Sequence, residues 1–207
     1  MELRYLYFED LERDSRYFRK TLSYFEDNKV LIINLIQGSR KLEIGFEIEN
    51  YIIYNTYDLI DNIANFDKVV YEIDPNLYIL PSSFKAREDV INVENIINSI
   101  PEDEDYEFDY IFVILDKYIN LKDNVSKIVF TSDANLLNAV KLPNKLVAID
   151  SSVSRNMQNL MGVITDKDTD EDLNTFANNL KTDELTDLNS QTLLNKIKRI
   201  FKMWYYG

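Results

Sequence analysis

Residues 29–38, KVLIINLIQG, constrain the fold more than any other stretch of the sequence. Four apolar residues stand in a row here, two more follow Asn34, and turn-forming polar residues flank the segment on both sides. A strand with one face in water alternates apolar and polar side chains, whereas a run this dense is typical of a strand covered on both faces. We therefore predict an interior strand of an α/β sheet. Ligands of such sheets bind just beyond the carboxyl ends of the strands.

Strands and helices alternate along the rest of the chain, which predicts an α/β fold with a mostly parallel, doubly wound sheet flanked by helices. The first helix joins two strands as a βαβ crossover, so we expect these strands to form a parallel pair. Residues 39–54 are expected to form a loop and a short extended piece. Further strands are predicted at residues 3–8, 76–80, 110–115, 127–131, 145–149 and 161–165. Helices are predicted around Tyr17, Phe18, Leu22 and Phe25, and at residues 56–63, 88–100 and 133–140.

The composition sets limits on the size and the location of the protein. A chain of 207 residues with 45% hydrophobic content is long enough for one substantial core. We expect one domain at residues 1–181, a tether or turn at residues 182–191, and an amphipathic helix at residues 192–207. No apolar run approaches the length that spans a bilayer, and residues 1–14 contain acids where a signal peptide has its apolar core. These features predict a cytoplasmic protein.

Histidine and cysteine are both missing from the sequence. Their absence excludes imidazole acid–base catalysis, Ser-His nucleophiles, disulfides and cysteine zinc sites. The alternating acids Asp166, Asp168, Asp170 and Asp172 lack the glycine and glutamate of a calcium loop, so we expect a loop or a helix N-terminus there and no metal site. The net charge of −13 disfavours binding to nucleic acid phosphates.

The order of several segments resembles the MinD/ParA group of deviant Walker-A ATPases. Each segment alone is a hydrophobic strand with a common flank, and their order and spacing together carry the resemblance. It implies a P-loop NTPase-like fold of the MinD type. The segments are KVLIINLIQGSRKLEIGF, TYDLIDNIANFDKVVYEIDPNLYILPSS, YEFDYIFVIL, KIVFTSDANLLNAV, KLVAIDSS and MGVIT, which lie between residues 29 and 165.

Several positions depart from the pattern of that group. The group holds ATP in a glycine-rich loop between its first strand and first helix, because bare backbone amides must approach the phosphates. Here residues 9–16, EDLERDSR, take that place with no glycine, a shorter connection and additional carboxylates. Asn34 stands where the resemblance implies a metal-ordering aspartate. Ile114 aligns with the switch aspartate of the group, unless the alignment is shifted so that Asp116 takes that position. Asp150 occupies a position that often carries a base-reading asparagine. We therefore predict a degenerate member with no catalytic or cofactor-binding residues, which is not an enzyme.

Residues 192–207, TLLNKIKRIFKMWYYG, have an amphipathic pattern with an apolar, partly aromatic face opposite a basic one. Such a helix suits the surface of an anionic membrane, where each basic residue contributes about 1 kcal/mol. Many members of the MinD branch end in a helix of this kind. Packing of the helix on the core, or docking in the groove of a partner protein, remain open as alternatives. The predicted membrane-binding residues are Leu193, Leu194, Lys196, Ile197, Lys198, Arg199, Ile200, Phe201, Lys202, Trp204 and Tyr205.

These features predict one of two functions that belong to different classes. The first is a non-catalytic, MinD-like pseudo-ATPase at the inner face of the plasma membrane, which serves as a scaffold or spatial regulator for a division, polar or secretion/pilus assembly machine. The alternative is a soluble adaptor that pairs with an active MinD/ParA-like ATPase or a pilus-assembly (CpaE-like) component without lipid binding. A self-dimer is a further possible pairing, and no nucleic acid partner is expected. An enzyme that holds nucleotide in a non-standard way ranks third.

Overall fold

The computed structural model describes residues 1–86, 92–116, 126–133, 145–149, 159–165 and 170–186. Several predictions fall wholly or partly outside the described residues and stay predictions there. They concern the first residues of the helix at 88–100, the helix at 133–140 beyond its first residue, Asp150, Asp166 and Asp168, the tether beyond residue 186, and the amphipathic helix at residues 192–207.

The described strands form one eight-stranded sheet with the spatial order β3-β4-β2-β5-β1-β6-β7-β8. All neighbours pair in parallel except β3, which runs antiparallel to β4 at one edge. This mostly parallel sheet confirms the predicted fold class. In chain order the strands are β1 (Glu2–Phe8), β2 (Val30–Asn34), β3 (Tyr71–Asp74), β4 (Leu77–Leu80), β5 (Tyr110–Leu115), β6 (Ser126–Thr131), β7 (Lys145–Ile149) and β8 (Leu160–Ile164).

Helices lie between β1 and β2, between β2 and β3, and between β4 and β5, as the alternating pattern predicts, and another helix follows β8. No helix in the described part of the chain is long and apolar enough to cross a membrane. The helices are α1 (Leu11–Leu22), α2 (Lys41–Gly45), α3 (Thr56–Ile60), α4 (Phe66–Val69), α5 (Val93–Ile97) and α6 (Asp170–Thr182), with short 3-10 turns at Ser23–Phe25 and Glu104–Tyr106. Acids fill the first turn of α6, which confirms the expected helix N-terminus in this region.

The helices cover both faces of the sheet, as the dense apolar strands require. α1, α2 and α6 pack on one face, where Phe112, Phe18, Phe8, Phe130 and Phe176 form a continuous chain of edge-to-face ring contacts. α3, α4 and α5 pack on the other face against the alternate side chains of the same strands. All five residues of β2 are buried. The prediction that this strand is covered on both faces is therefore confirmed.

β1 and β2 are parallel but they are not neighbours, so the predicted pairing of these two strands is wrong. β5 lies between them, with Ile111 opposite both Leu3 of β1 and Leu31 of β2. β5 is buried at every position after its first residue, so a central place removes the most apolar surface from water. A crossover connection fixes the direction of two strands and not their adjacency.

The segment after Gly38 also differs from its prediction, because α2 replaces the expected extended piece. Leu42 and Glu43 both point inward from this short helix and are fully or almost fully buried. A strand would place these consecutive side chains on opposite faces, whereas one turn of helix lets both reach the strand ends.

α3 begins where the sequence predicts and ends earlier. Asn55 caps the helix, and its side chain and that of Asp58 form a reciprocal capping box. Asn62 then takes a φ of 57°, which breaks the helix before Ile63. Ile63 is consequently exposed instead of lying on the buried face.

Candidate functional site at the carboxyl edge of the sheet

The parallel strands all end at one edge of the sheet, which is the edge where α/β proteins bind ligands. Polar residues stand at the end of each central strand and are the candidate site. They are Glu9 after β1, Asn34 at the end of β2, Ser82 after β4, Asp116 after β5 and Ser132 after β6. Hydrogen bonds join most of them into two clusters, one around α1 and one around α2.

Only two residues, Glu9 and Asp10, separate β1 from α1, and carboxylates of the chain itself cap the N-terminus of this helix. The Asp10 carboxylate accepts hydrogen bonds from the backbone N–H groups of Glu12, at 3.1 Å, and Arg13, at 3.0 Å. The Asp14 carboxylate accepts a hydrogen bond from the backbone N–H of Asp10, at 2.9 Å. A helix N-terminus can offer such amides to a bound anion. At this junction three of them are already engaged.

Asp14 is fully buried beneath the junction. Burial raises the pKa of its carboxyl above the ordinary value, against the opposing effect of the Arg13 guanidinium, whose Nε donates to Oδ1 at 2.8 Å. Arg13 also lies 3.7 Å from the carboxylate of Glu9. Four acids, Glu9, Asp10, Glu12 and Asp14, therefore surround the start of α1, and the cations among them include Arg13 and Lys41, whose Nζ lies 3.0 Å from the carboxylate of Glu12.

Glu9 connects the ends of β1 and β6. Its Oε2 accepts hydrogen bonds from the backbone N–H of Ser132, at 2.8 Å, and from the Ser132 hydroxyl, at 3.2 Å. The side chain of Glu9 is 51% exposed. It therefore holds two central strands together and also places a negative charge at the surface of this edge.

Glu43 of α2 forms the second cluster, between the ends of β2 and β4. Its Oε1 accepts hydrogen bonds from Nδ2 of Asn34, at 2.9 Å, and from the backbone N–H of Ser82, at 2.6 Å. Asn34 in turn accepts a hydrogen bond from the backbone N–H of Ile36, at 3.1 Å. Asn34 and Glu43 are both buried, and Glu43 Oε2 has no hydrogen-bond partner among the described residues. Asn34 thus links a strand end to a helix and does not face solvent.

The two alignments of the switch position place different groups at this edge. Ile114 lies within β5 with its side chain in the core, whereas Asp116 follows the strand and is exposed. Only the slipped alignment, with Asp116, puts a carboxylate at the carboxyl edge. Within the described ranges no three acids lie close enough together to hold a metal ion. Asp150 and the predicted membrane-binding residues are not described.

Glu43 is the member of the site that the sequence analysis does not identify. Its only local signal is a single acid among apolar neighbours in KLEIGF, and a buried charge requires polar partners. Those partners are Asn34, nine positions earlier, and Ser82, 39 positions later. No local pattern in the sequence shows that these residues meet.

The fold matches solved structures of MinD and plasmid partition proteins. A putative plasmid partition protein from Borrelia burgdorferi, bound to AMPPNP, superimposes with a TM-score of 0.65 at 15% identity, over 88% of this chain and 99% of that one. The MinC:MinD cell division protein complex of Aquifex aeolicus gives a TM-score of 0.64 at 15% identity, over 90% of this chain and 98% of that one. The protein therefore has a P-loop NTPase fold of the MinD/ParA type.

Comparison of sequences finds a similarity to the same group. The septum site-determining protein MinD of Synechocystis sp. is 30% identical over 87 residues, which are 41% of this chain and 32% of that protein. The match therefore spans about a third of the length of the curated relative. No protein-family model matches the chain.

Proposed function

We propose that this protein is a MinD-like pseudo-ATPase. It acts by binding a membrane and partner proteins, and it does not hydrolyse ATP. It serves as a peripheral membrane scaffold or spatial regulator for a division, partition or pilus-assembly machine. The observation that carries this proposal is the junction of β1 and α1, where Asp10 and Asp14 occupy backbone amides at the start of the helix.

P-loop NTPases hold phosphates with a glycine-rich connection and the backbone amides at the start of the following helix. In this chain the connection consists of Glu9 and Asp10 alone, and neither residue is a glycine. A triphosphate would have to displace the Asp10 carboxylate from two backbone N–H groups. This replacement exchanges one anion for another and gains no new donors.

Charge repulsion acts in the same direction. Two like unit charges about 4 Å apart repel by about 4 kcal/mol at an effective dielectric constant of about 20. Glu9 and Asp10 both lie at this junction, and the cations beside them are already paired, Arg13 with Asp14 at 2.8 Å and Lys41 with Glu12 at 3.0 Å. The balance of charge therefore favours an empty site over one that holds a nucleotide.

Titration calorimetry with Mg-ATP and Mg-AMPPNP tests the nucleotide part of the proposal. We expect no binding heat and no release of inorganic phosphate, while an active MinD measured under the same conditions gives both. Micromolar binding of either nucleotide would contradict the pseudo-ATPase assignment. Phosphate release that survives purification to homogeneity would contradict it as well.

The membrane part of the proposal is supported by the sequence of residues 192–207. This segment has four basic residues and no acid in a chain with a net charge of −13. A basic amphipathic segment binds an anionic bilayer through both its apolar face and its charges. The acidic remainder of the molecule would be repelled by the same bilayer, so this segment is the contact that the charges allow.

Sedimentation with vesicles tests the membrane part. The full chain should sediment with vesicles that contain an anionic lipid and stay in solution with purely zwitterionic ones. Removal of residues 193–207 should abolish sedimentation, and Trp204→Ala, on the apolar stripe, should weaken it. Asn195→Ala, on the polar side, is the matched control and should sediment like the unaltered chain. Unchanged sedimentation of the truncated protein would refute membrane binding by this segment.

A soluble adaptor is the second candidate, and exposed apolar side chains in the segments that follow β2 and β4 favour it. Ile44, Tyr51, Ile53 and Phe84 are each more than half exposed. The Arg40 guanidinium lies 4.0 Å from the centre of the Phe84 ring. Exposed apolar patches next to charged residues often mark protein–protein contacts.

Size-exclusion chromatography without lipid tests the adaptor. The probe is the active MinD/ParA-like ATPase of the same cell, mixed with this protein and separated by size. An adaptor elutes as a complex without lipid, and Phe84→Ser disrupts that complex while Ile63→Ser, at another exposed apolar residue, does not. A complex that forms only on vesicles supports the scaffold instead.

A further inference from the structure

An open groove of about 730 Å³ lies at the amino-terminal edge of the sheet, opposite the acidic carboxyl edge. It runs between the end of α5 and the residues that precede β1 and β5. Its apolar lining includes Ile97, Ile100, Tyr106 and Phe108. Grooves of this size that expose apolar side chains are typical binding sites.

The rim of this groove is acidic. Glu102, Glu107 and Asp109 line it and are exposed. The Lys29 ammonium lies 5.8 Å from the centre of the Phe108 ring and donates to the carbonyl of Asp105, so the acids outnumber this cation. These acids belong to residues 102–109, EDEDYEFD, the most acidic stretch near the groove. An apolar groove with a negative rim is complementary to a segment that is apolar on one side and basic on the other.

One such segment lies in the chain itself, at residues 192–207. Its basic residues are Lys196, Lys198, Arg199 and Lys202, and it contains no acid. Its apolar residues repeat at helical spacing, which gives a stripe of the kind that docks in such grooves. The charges of groove and segment therefore match in sign and in arrangement.

The chain leaves the described structure at the edge where the groove lies. The backbone N–H of Thr186 donates to the carbonyl of Leu160, the first residue of β8, at 2.6 Å, and the Thr186 hydroxyl donates to the carbonyl of Met161 at 2.8 Å. The backbone N–H of Glu2, the first residue of β1, donates to the carbonyl of Asp109 on the groove, at 2.7 Å. The groove thus begins at the foot of β1, along the same edge.

The connection is long enough to cover this distance. Phe108 and Asp109 of the groove precede β5, which is four steps between neighbouring strands from β8, and four steps span about 19 Å at about 4.8 Å each. Residues 187–192 can span about 20 Å when extended. The segment that starts at Leu193 can therefore reach the groove without disturbing the bonds of Thr186.

We infer that residues 193–205 dock in this groove as an amphipathic helix, with the apolar stripe against Ile97, Ile100 and Phe108 and the basic side toward Glu102 and Glu107. This inference rests on the proposed function, because the same residues are those that bind the membrane. The groove shields the segment when no membrane is near. An anionic bilayer then competes with the acidic rim for the same basic residues.

Trp204 is the single tryptophan of the chain, so its fluorescence reports on the segment alone. In the full chain without lipid, its emission should be blue-shifted and poorly quenched by acrylamide. Glu102→Lys/Glu107→Lys should shift the emission to the red and raise the quenching constant several-fold. It should also lower the amount of anionic vesicles needed for sedimentation. Glu47→Lys/Glu171→Lys, which changes the net charge equally at exposed sites away from the groove, should leave Trp204 shielded.

A charge swap guards against a variant that simply fails to fold. Lys198→Glu/Arg199→Glu should release Trp204 in the unaltered groove, and combination with Glu102→Lys/Glu107→Lys should restore its shielding. Circular dichroism of each variant checks that the helices and strands are retained. Restoration in the combined variant requires contact between the two charged sets, which a general loss of folding cannot produce.

Three results overturn the docking. The first is that Trp204 is exposed to quencher in the unaltered protein. The second is that Trp204 stays equally shielded in Glu102→Lys/Glu107→Lys. The third is that the shielding disappears on dilution, as a dimer dissociates. The last result would identify a second copy as the occupant. If Trp204 is shielded by the groove but no variant sediments with anionic vesicles, the docking stands and the membrane function fails. If Trp204 is exposed throughout and the protein sediments, the membrane function stands and the docking fails.

Discussion

Asp183 joins three elements at the amino-terminal edge of the sheet. It follows α6 with a φ of 59°, in the left-handed region, and its carboxylate lies 2.7 Å from Nζ of Lys145 and 3.4 Å from Nε of Arg4. Burial acts to raise the pKa of this carboxyl, but the Lys145 ammonium and the other partners outweigh it and hold the pKa below its ordinary value of 3.8. The ionised form is therefore the one that the fold stabilises.

Asp183→Asn should lower the free energy of unfolding at neutral pH by about 0.5–1 kcal/mol, since the carboxylate is 38% exposed and solvent screens the pair. Asparagine has the same shape and tolerates a positive φ, so the change removes charge alone. Because the folded pKa is depressed, the contribution is present above the unfolded pKa and is lost as the pH falls through the folded one. Urea unfolding at a series of pH values measures this. A loss that stays constant into acid would contradict it, and Glu184→Gln is the exposed control.

Glu43 tests how much one buried carboxylate contributes at the candidate site. Glu43→Ala should destabilise the protein by about 3 kcal/mol, because it leaves a cavity and two unpaired donors, on Asn34 and Ser82. Glu43→Gln keeps an acceptor for both donors and should cost about 1 kcal/mol or less. Urea unfolding of the two variants measures the difference. Equal losses would contradict this account, because Glu43→Gln retains both the packing and an acceptor oxygen.

At the scale of the elements, apolar density predicts the strands well and local pattern predicts their neighbours poorly. β2 and β5 are recognisable from the sequence because both faces must be apolar. β3 was not predicted, since its alternation of half-buried and exposed residues spans only four positions. The insertion of β5 between β1 and β2 depends on burial summed over the whole sheet, which no single segment contains.

The packing of α6 on β8 depends on a glycine. A Cβ at Gly162 would lie 3.0–3.2 Å from atoms of Phe176, which is fully buried. Gly162→Ala should therefore destabilise the protein by about 1–3 kcal/mol through overpacking. Thermal or urea unfolding measures the loss.

Gly38→Ala serves as the contrast to that substitution. A Cβ at Gly38 would meet only the Phe84 carbonyl oxygen, at 3.9 Å, but the residue has a φ of 71°. The free energy of unfolding that Gly38→Ala loses should therefore arise from backbone strain and not from packing. In a Phe176→Ala background the loss at Gly162 should shrink, because two of the three crowding atoms, Cδ2 and Cγ of Phe176, are gone, and the loss at Gly38 should not. Equal coupling of both glycines to Phe176 would contradict this account.

At the scale of the whole molecule, the sequence predicts the fold class and shows that the connection between β1 and α1 is acidic and lacks glycine, but it does not show how the side chains of that connection bond to the helix amides. Residues 9–16 are acidic and lack glycine in the sequence itself. The engagement of the helix amides by Asp10, and of the Asp10 amide by Asp14, requires coordinates. Pairs between distant positions, such as Glu9 with Ser132, are set by the order of the strands and are invisible to local patterns.

The stability of the sheet should fall from its middle toward β3. β5 pairs on both sides and is buried at every position after its first residue, whereas β3 pairs only with β4 and shifts its register between Glu72 and Asp74. Native-state hydrogen exchange measured by mass spectrometry should find the slowest amides in β5 and β1 and much faster ones in β3, because local opening there exposes little apolar surface. Rates corrected for intrinsic exchange of each peptide provide the control. If β3 were protected as strongly as β5, the edge would open only with the whole sheet, and the gradient inferred from pairing and burial would be wrong.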